Sequence, residues 1–193
     1  MIKNNTVLTD NDFINHLVES KLSDDELIEK ISIILSELGF SAVVHPLVYE
    51  KEIMSENPRV KLFFEESIFK KIDFSDIFGN NTSKKEYYIL LIRELFKTLK
   101  NKMDLPTSND ELLKFWVRKS SLGEIHSIAT CVLCNYGVFL SDDDDSKKLK
   151  KIVKQKFATN IKIYNRKELI DKHESEGKTT INRNTRRSLA HQR

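Results

Sequence analysis

The sequence predicts an α/β layer fold, in which a parallel central sheet is covered by helices, and three observations predict it. Short apolar runs that read as strands alternate with amphipathic stretches that read as helices, and consecutive parallel strands need such crossovers. Capping residues mark several of the places where one pattern gives way to the other. With 193 residues, 39% of them apolar, the chain can bury the core of one compact domain.

The elements follow in order. Thr6 to Leu8 is an apolar run ending at Thr9 and Asp10, after which Phe13, Ile14, Leu17 and Val18 recur at helical spacing. Ser23 and Glu26 form a capping box ahead of Leu27, Ile31, Ile34, Leu35 and Leu38, and Gly39 ends that helix. Phe40 to Val44 reads as a strand stopped by His45 and Pro46, and Pro46 opens a helix that carries Leu47, Val48 and Glu50. From Pro58 to Trp116 the pattern is helical throughout. It includes a capping box expected at Ser83 and Glu86, and a helix capped by Asn109 or Asp110 that carries Leu112, Leu113 and Trp116. Glu124 then begins a helix through Ile125, Ile128 and Val132. Val138 to Leu140 is a buried strand, Lys147 to Phe157 a basic amphipathic helix, Ile161 to Tyr164 the last strand and Arg166 to Lys172 the last helix. One domain is therefore expected over residues 1–172, with a helical insertion over about 55–118 and a flexible basic tail over 173–193.

The net charge is +3, too mild by itself to indicate a polyanionic partner. Its distribution is more informative, because the last sixteen residues hold Lys178, Arg183, Arg186, Arg187 and Arg193 and no acid. Cys131 and Cys134 lack the partners of a disulfide framework or a four-ligand zinc site, and read as small buried residues. There is no apolar run long enough to span a bilayer and no charged leader ahead of an apolar one, so a cytoplasmic protein is expected.

The acids carry the chemistry. Asp10 follows the first strand, Glu50 lies on the helix after the second, and four aspartates, Asp142 to Asp145, follow the third. In an open parallel sheet the carboxyl ends of the strands share the edge where ligands bind. Glu124, just inside its helix after Gly123, can approach the same edge. Carboxylates brought this close repel and raise one another's pKa unless a cation neutralises them. Oxygen ligands without neighbouring His or Cys suit Mg²⁺ or Mn²⁺, whose bound water can attack a phosphodiester.

Four segments in order resemble the PIN-domain family over roughly residues 4–171. Thr9-Asp10-Asn11-Asp12-Phe13-Ile14 resembles its opening motif, and Val44-His45-Pro46-Leu47-Val48-Tyr49-Glu50 the second. Leu122-Gly123-Glu124, with Ile125, Ile128 and Ala129, resembles the third, and Phe139-Leu140-Ser141-Asp142-Asp143 the fourth. The resemblance implies a Rossmann-like three-layer α/β/α fold, PIN-like, with an α-helical insertion. It also implies Mg²⁺- or Mn²⁺-dependent cleavage of single-stranded or structured RNA, and many small bacterial members are toxins held by an antitoxin. Asn11 stands where the family has Thr or Ser, and the helical stretch of about 70 residues between the second and third motifs exceeds that of minimal toxins.

Asp10, Glu50, Glu124 and Asp143 are on this reading the catalytic set, with Asp10, Glu124, Asp143 and Asp142 as metal ligands. Asn11, Asp12, Ser141 and Asp145 support them, and Lys147, Lys148, Lys151, Arg183, Arg186 and Arg187 meet the nucleic acid. Each has a plainer reading. Asp10 or Asp12 can simply cap a helix, Glu50 and Glu124 can be first-turn acids favoured by the helix dipole, and the lysines can be a solvated face. His16, His45 and His126 read as structural and Trp116 as core, while Tyr87 and Tyr88 could stack on bases. The expected partners are RNA, an antitoxin or other protein, and a second copy of the chain in a homodimer, with no membrane. The alternative function is a non-catalytic PIN-like module that binds nucleic acid or protein.

Overall fold

The computed structural model describes residues 5–53, 58–99, 104–117 and 120–176. Among these residues the sheet has five strands, all parallel, in the spatial order β3-β2-β1-β4-β5. These are β1 (Thr6–Thr9), β2 (Ser41–Val44), β3 (Phe69–Lys71), β4 (Val138–Leu140) and β5 (Lys162–Tyr164). From β1 the chain steps outward through β2 to β3, then returns to the other side of β1 for β4 and β5. Between β1 and β4 the winding direction reverses, which opens a crevice at the carboxyl ends of those two strands. Thr9 pairs with Leu140 there, and the Asp10 amide donates to the Leu140 carbonyl at 3.1 Å, so the residues that leave β1 and β4 emerge side by side.

Successive residues of one strand face opposite layers. Leu8, Val43 and Phe139 pack into a core closed by α6 (Thr82–Thr98), α8 (Leu122–Cys134) and α9 (Asp144–Phe157), through Leu91, Leu95, Ile125, Ile128, Leu149 and Val153. Val7, Ala42, Val44 and Leu140 pack into a second core with α1 (Asn11–Val18), α2 (Asp24–Glu37) and α4 (Pro58–Glu65), through Phe13, Ile14, Leu27, Ile31 and Phe63. Two cores on the two faces of one sheet make the three-layer α/β/α architecture. Three short helices complete the chain to β4: α3 (Pro46–Lys51), α5 (Phe74–Phe78) and α7 (Asn109–Lys114).

Local signals placed several boundaries. Ser23 and Glu26 form the expected capping box, with the Ser23 amide bound to the Glu26 carboxylate at 3.0 Å. Gly39, at φ +67°, closes α2 with the Gly39 amide on the Ser36 carbonyl and the Phe40 amide on the Leu35 carbonyl. This left-handed closure favours a residue without Cβ.

The expectations need correction in five places. The central stretch is not wholly helical, because Phe69–Lys71 forms β3 at the sheet edge, paired with β2. Its three residues bury only Phe69 and are too short for a period-two pattern to register. Asn81 caps α6 in place of Ser83, accepting from the Lys84 amide at 2.9 Å, and Ser108 caps α7 in place of Asn109 or Asp110. The basic helix starts at Asp144, three residues before Lys147. The last helix, α10, spans residues 166–176, so the folded body passes the expected boundary at 172, and His173 is bound to Glu37 at 2.6 Å. Among the described residues no helix is long and apolar enough to cross a membrane.

Candidate functional site

Asp10 sits in the crevice between β1 and β4. Its extended backbone makes it the N-cap of α1, with Oδ1 accepting from the Phe13 amide at 2.8 Å. The cap is therefore real, but it uses one oxygen only. Oδ2 is buried and has no hydrogen-bond partner, and the residue is 2% exposed. A buried oxygen without a partner carries the full cost of desolvation. Burial accordingly raises the Asp10 carboxyl to about 8, against smaller opposing effects of the Ser141 hydroxyl and the Phe13 amide.

Glu124 repeats the pattern from the opposite wall. It lies in the first turn of α8, and its Oε2 is also buried and unpartnered. Burial is again the largest cause of its rise to about 9, and Asp10, Asp143 and Glu52 push in the same direction. Asp12 is raised as well, by burial and then by Asp143. These mutual effects place Asp10, Asp12, Glu52, Glu124 and Asp143 within one another's field.

Asp12, Glu52, Glu124 and Asp143 line a cleft of about 440 Å³. Among the described residues its walls carry Asp12, Glu52, Glu124, Asp143 and Asp145 against the ammonium of Lys51, with Asn11, Ser120, Ser121 and Trp116 between them. Asp10 is not part of this lining but acts on Glu124 electrostatically. Such an excess of carboxylates gives the cleft a negative potential that concentrates cations. Asp143 caps α9 with Oδ1 on the Asp145 amide at 2.6 Å, and its own amide donates to the Ser141 hydroxyl at 3.2 Å. Ser141 is fully buried and shares a 2.7 Å hydrogen bond with Ser146, so it braces the turn that carries Asp143. Asp145 is held by the Ser121 hydroxyl at 2.7 Å and by Lys148.

Two expected site residues are not brought here. Glu50 is exposed and bound to Lys71 at 3.1 Å; Glu52, two residues on, lines the cleft in its place. Two residues rotate a helix by more than half a turn, so Glu50 and Glu52 leave α3 on different sides. Asp142 also points away. Its carboxylate joins His16 Nδ1 at 2.9 Å and accepts from the Arg166 amide at 3.0 Å, tying the β4 turn to α1 and α10. Lys147 is paired with Asp144 at 3.0 Å, Lys148 with Asp145, and Lys151 is exposed. Arg183, Arg186 and Arg187 lie outside the described residues.

Sequence reasoning missed Glu52 and the position of Trp116, which is only half-buried and forms part of the cleft wall. It also missed why Gly123 stands before Glu124. A Cβ there would lie 3.2 Å from Glu52 Oε1, 3.3 Å from Trp116 Cη2 and 3.5 Å from Val48 Cγ2. The missing side chain lets Glu52 and Trp116 close on α8, and no local pattern announces so distant a contact.

Tyr88 is fully buried, which removes it as a surface for bases, whereas Tyr87 is 44% exposed. The Leu47 amide donates to His45 Nδ1 at 3.2 Å, leaving the His45 proton on Nε2, which donates to Tyr88 Oη at 2.9 Å. Oη in turn donates to His126 Nδ1 at 2.9 Å. Burial holds both imidazoles neutral, His45 well below its ordinary value and His126 at about 3. Both histidines are fully buried and hydrogen-bonded to Tyr88. Cys131 is buried, Cys134 partly so, and both are free thiols.

A hard divalent cation fits the donor set, which consists of carboxylate oxygens with two of them buried and unpartnered. As placed, however, no three His, Cys, Asp or Glu side chains among the described residues converge closely enough to hold a metal ion. No family model matches this chain, and no curated protein or solved structure does.

Proposed function

We propose that the chain is a Mg²⁺- or Mn²⁺-dependent nuclease, an endoribonuclease of PIN-like type, acting at this cleft. One observation carries the reading. Asp10 and Glu124 each keep a carboxylate oxygen buried and unbonded at the switch point of a parallel sheet, where ligands of such folds bind. Burying these two oxygens without partners costs stability, and groups so perturbed cluster at functional sites.

Asp10, Glu124 and Asp143 are the residues that would hold the cation, with Glu52 in the role first expected of Glu50. Bound there, the ion supplies Lewis acidity toward a phosphodiester and offsets the charge that builds on its oxygens. The chain supplies the positioning. Phe13 fixes one oxygen of Asp10, the Ser141 and Asp145 contacts fix Asp143, and Asp145 is itself held by Ser121 and Lys148. Without a cation the acidic side chains stay apart, because approach costs more than it returns.

Incubation of the purified chain with labelled RNA and Mn²⁺ tests the proposal, with Asp10→Asn and Glu124→Gln alongside. Cleavage is expected in the native chain and a loss of ~100-fold or more in each variant, at least the effect of removing a group that merely supports a ligand. Undiminished cleavage in both would remove the assignment. The absence of a ready three-ligand cluster among the described residues favours a second reading, a non-catalytic module that binds nucleic acid or protein. That reading predicts no rise in melting temperature on adding Mn²⁺, whereas a nuclease that binds the ion only when folded is stabilised by it.

A further inference from the structure

We propose that Trp116 is a stacking platform for an unpaired nucleobase beside the acidic cleft. This rests on the nuclease reading above. Trp116 follows the C-terminus of α7 and reaches both hydrophobic cores, yet it remains half-buried and forms part of the cleft wall beside Glu52 and Glu124.

The opening is specifically constructed. The Cη2 edge of the indole lies 3.3 Å from the site of a Gly123 Cβ, so a methyl there would press on the indole by a few tenths of an ångström. Glu52 Oε1 uses the same gap, which ties the aromatic wall to a carboxylate of the site. Among the described residues the rest of the lining is polar and mostly acidic, so the indole is the aromatic surface they offer. A nucleotide presents a phosphate to bind near the carboxylates and their cation, and a flat π-face to stack beside it. Lys51, on the same wall as Glu52, supplies a cation for an adjoining phosphate. A base can reach the indole only after leaving its own stack, which is least costly when it is already unpaired.

Trp116 is the one tryptophan in the chain, so its emission reports on this position alone. In the test, the full chain in Mn²⁺ is mixed in a stopped-flow instrument with three labelled probes of equal length. These are single-stranded RNA, the same strand in a duplex, and an abasic strand. Label anisotropy follows binding, and tryptophan emission is read before turnover. The single strand should quench emission, while the duplex and the abasic strand leave it nearly unchanged. Trp116→Leu should weaken single-strand binding by ~10-fold and raise KM with little change in kcat, and Trp116→Phe should restore most of the loss. Binding of the single strand with unchanged emission would overturn the stacking role and leave the nuclease reading standing. So would equal quenching by the abasic strand. Failure of every probe to bind would overturn both. Should Trp116→Leu not fold, the emission of the native chain still decides.

Discussion

A carboxylate with one oxygen buried and without a partner holds its proton far above the usual range. Asp10 does so to about 8 and Glu124 to about 9, against ordinary values of 3.8 and 4.5. Between those limits the folded chain binds more protons than the unfolded one. Their contribution to stability is therefore complete below the unfolded values and is lost as pH rises through the folded ones. Urea titrations of the metal-free chain should show stability falling as pH rises from about 4 toward about 9, and Asp10→Asn should flatten the decline. Divalent cation should reverse the upper part of the curve, because it replaces the proton. Glu50 and Glu52 provide a second test at this scale. Glu50→Gln breaks an exposed ion pair with Lys71 and should cost under about 1 kcal/mol and leave cleavage intact. Glu52→Gln should lower cleavage in the same assay. Asp10, Glu124 and Asp143 were legible because each adjoins the end of a strand or the start of a helix. Glu52 was not, since which side of α3 meets the cleft depends on α8.

Helix boundaries are written locally when one residue can cap and its neighbours cannot. The Ser23 box was read correctly for that reason, as were Gly39 and Pro46. Before α6 the sequence offers Asn80, Asn81, Thr82 and Ser83, all capable of capping, and only packing selected Asn81. β3 failed differently: its hydrogen bonds lie with β2, more than twenty residues away in sequence, and its own three residues carry almost no pattern. The element with most influence on the cleft is the start of α8. Gly123→Ala should push Trp116 and Glu52 outward, shifting tryptophan emission and reducing cleavage by roughly the ~10–100-fold typical of disturbed supporting groups. Emission and activity unchanged together would show that the close approach is dispensable.

Across the whole molecule, Tyr88 on α6 joins His45 at the end of β2 to His126 on α8. Tyr88→Phe leaves the His45 Nε2 proton and His126 Nδ1 buried without a partner, and should cost about 1–3 kcal/mol in urea titration. No segment taken alone suggests this link, because its members are more than thirty residues apart. The sequence by itself determined the α/β class, most strands and helices, and the acids that follow β1 and β4, since alternation, capping and strand ends are properties of neighbouring residues. Only the tertiary structure decided that β3 joins the sheet edge, that Asp142 turns toward His16, and that Glu52 and Trp116 line the cleft. Those outcomes depend on which faces of distant elements meet, and a chain encodes that through packing of the whole core.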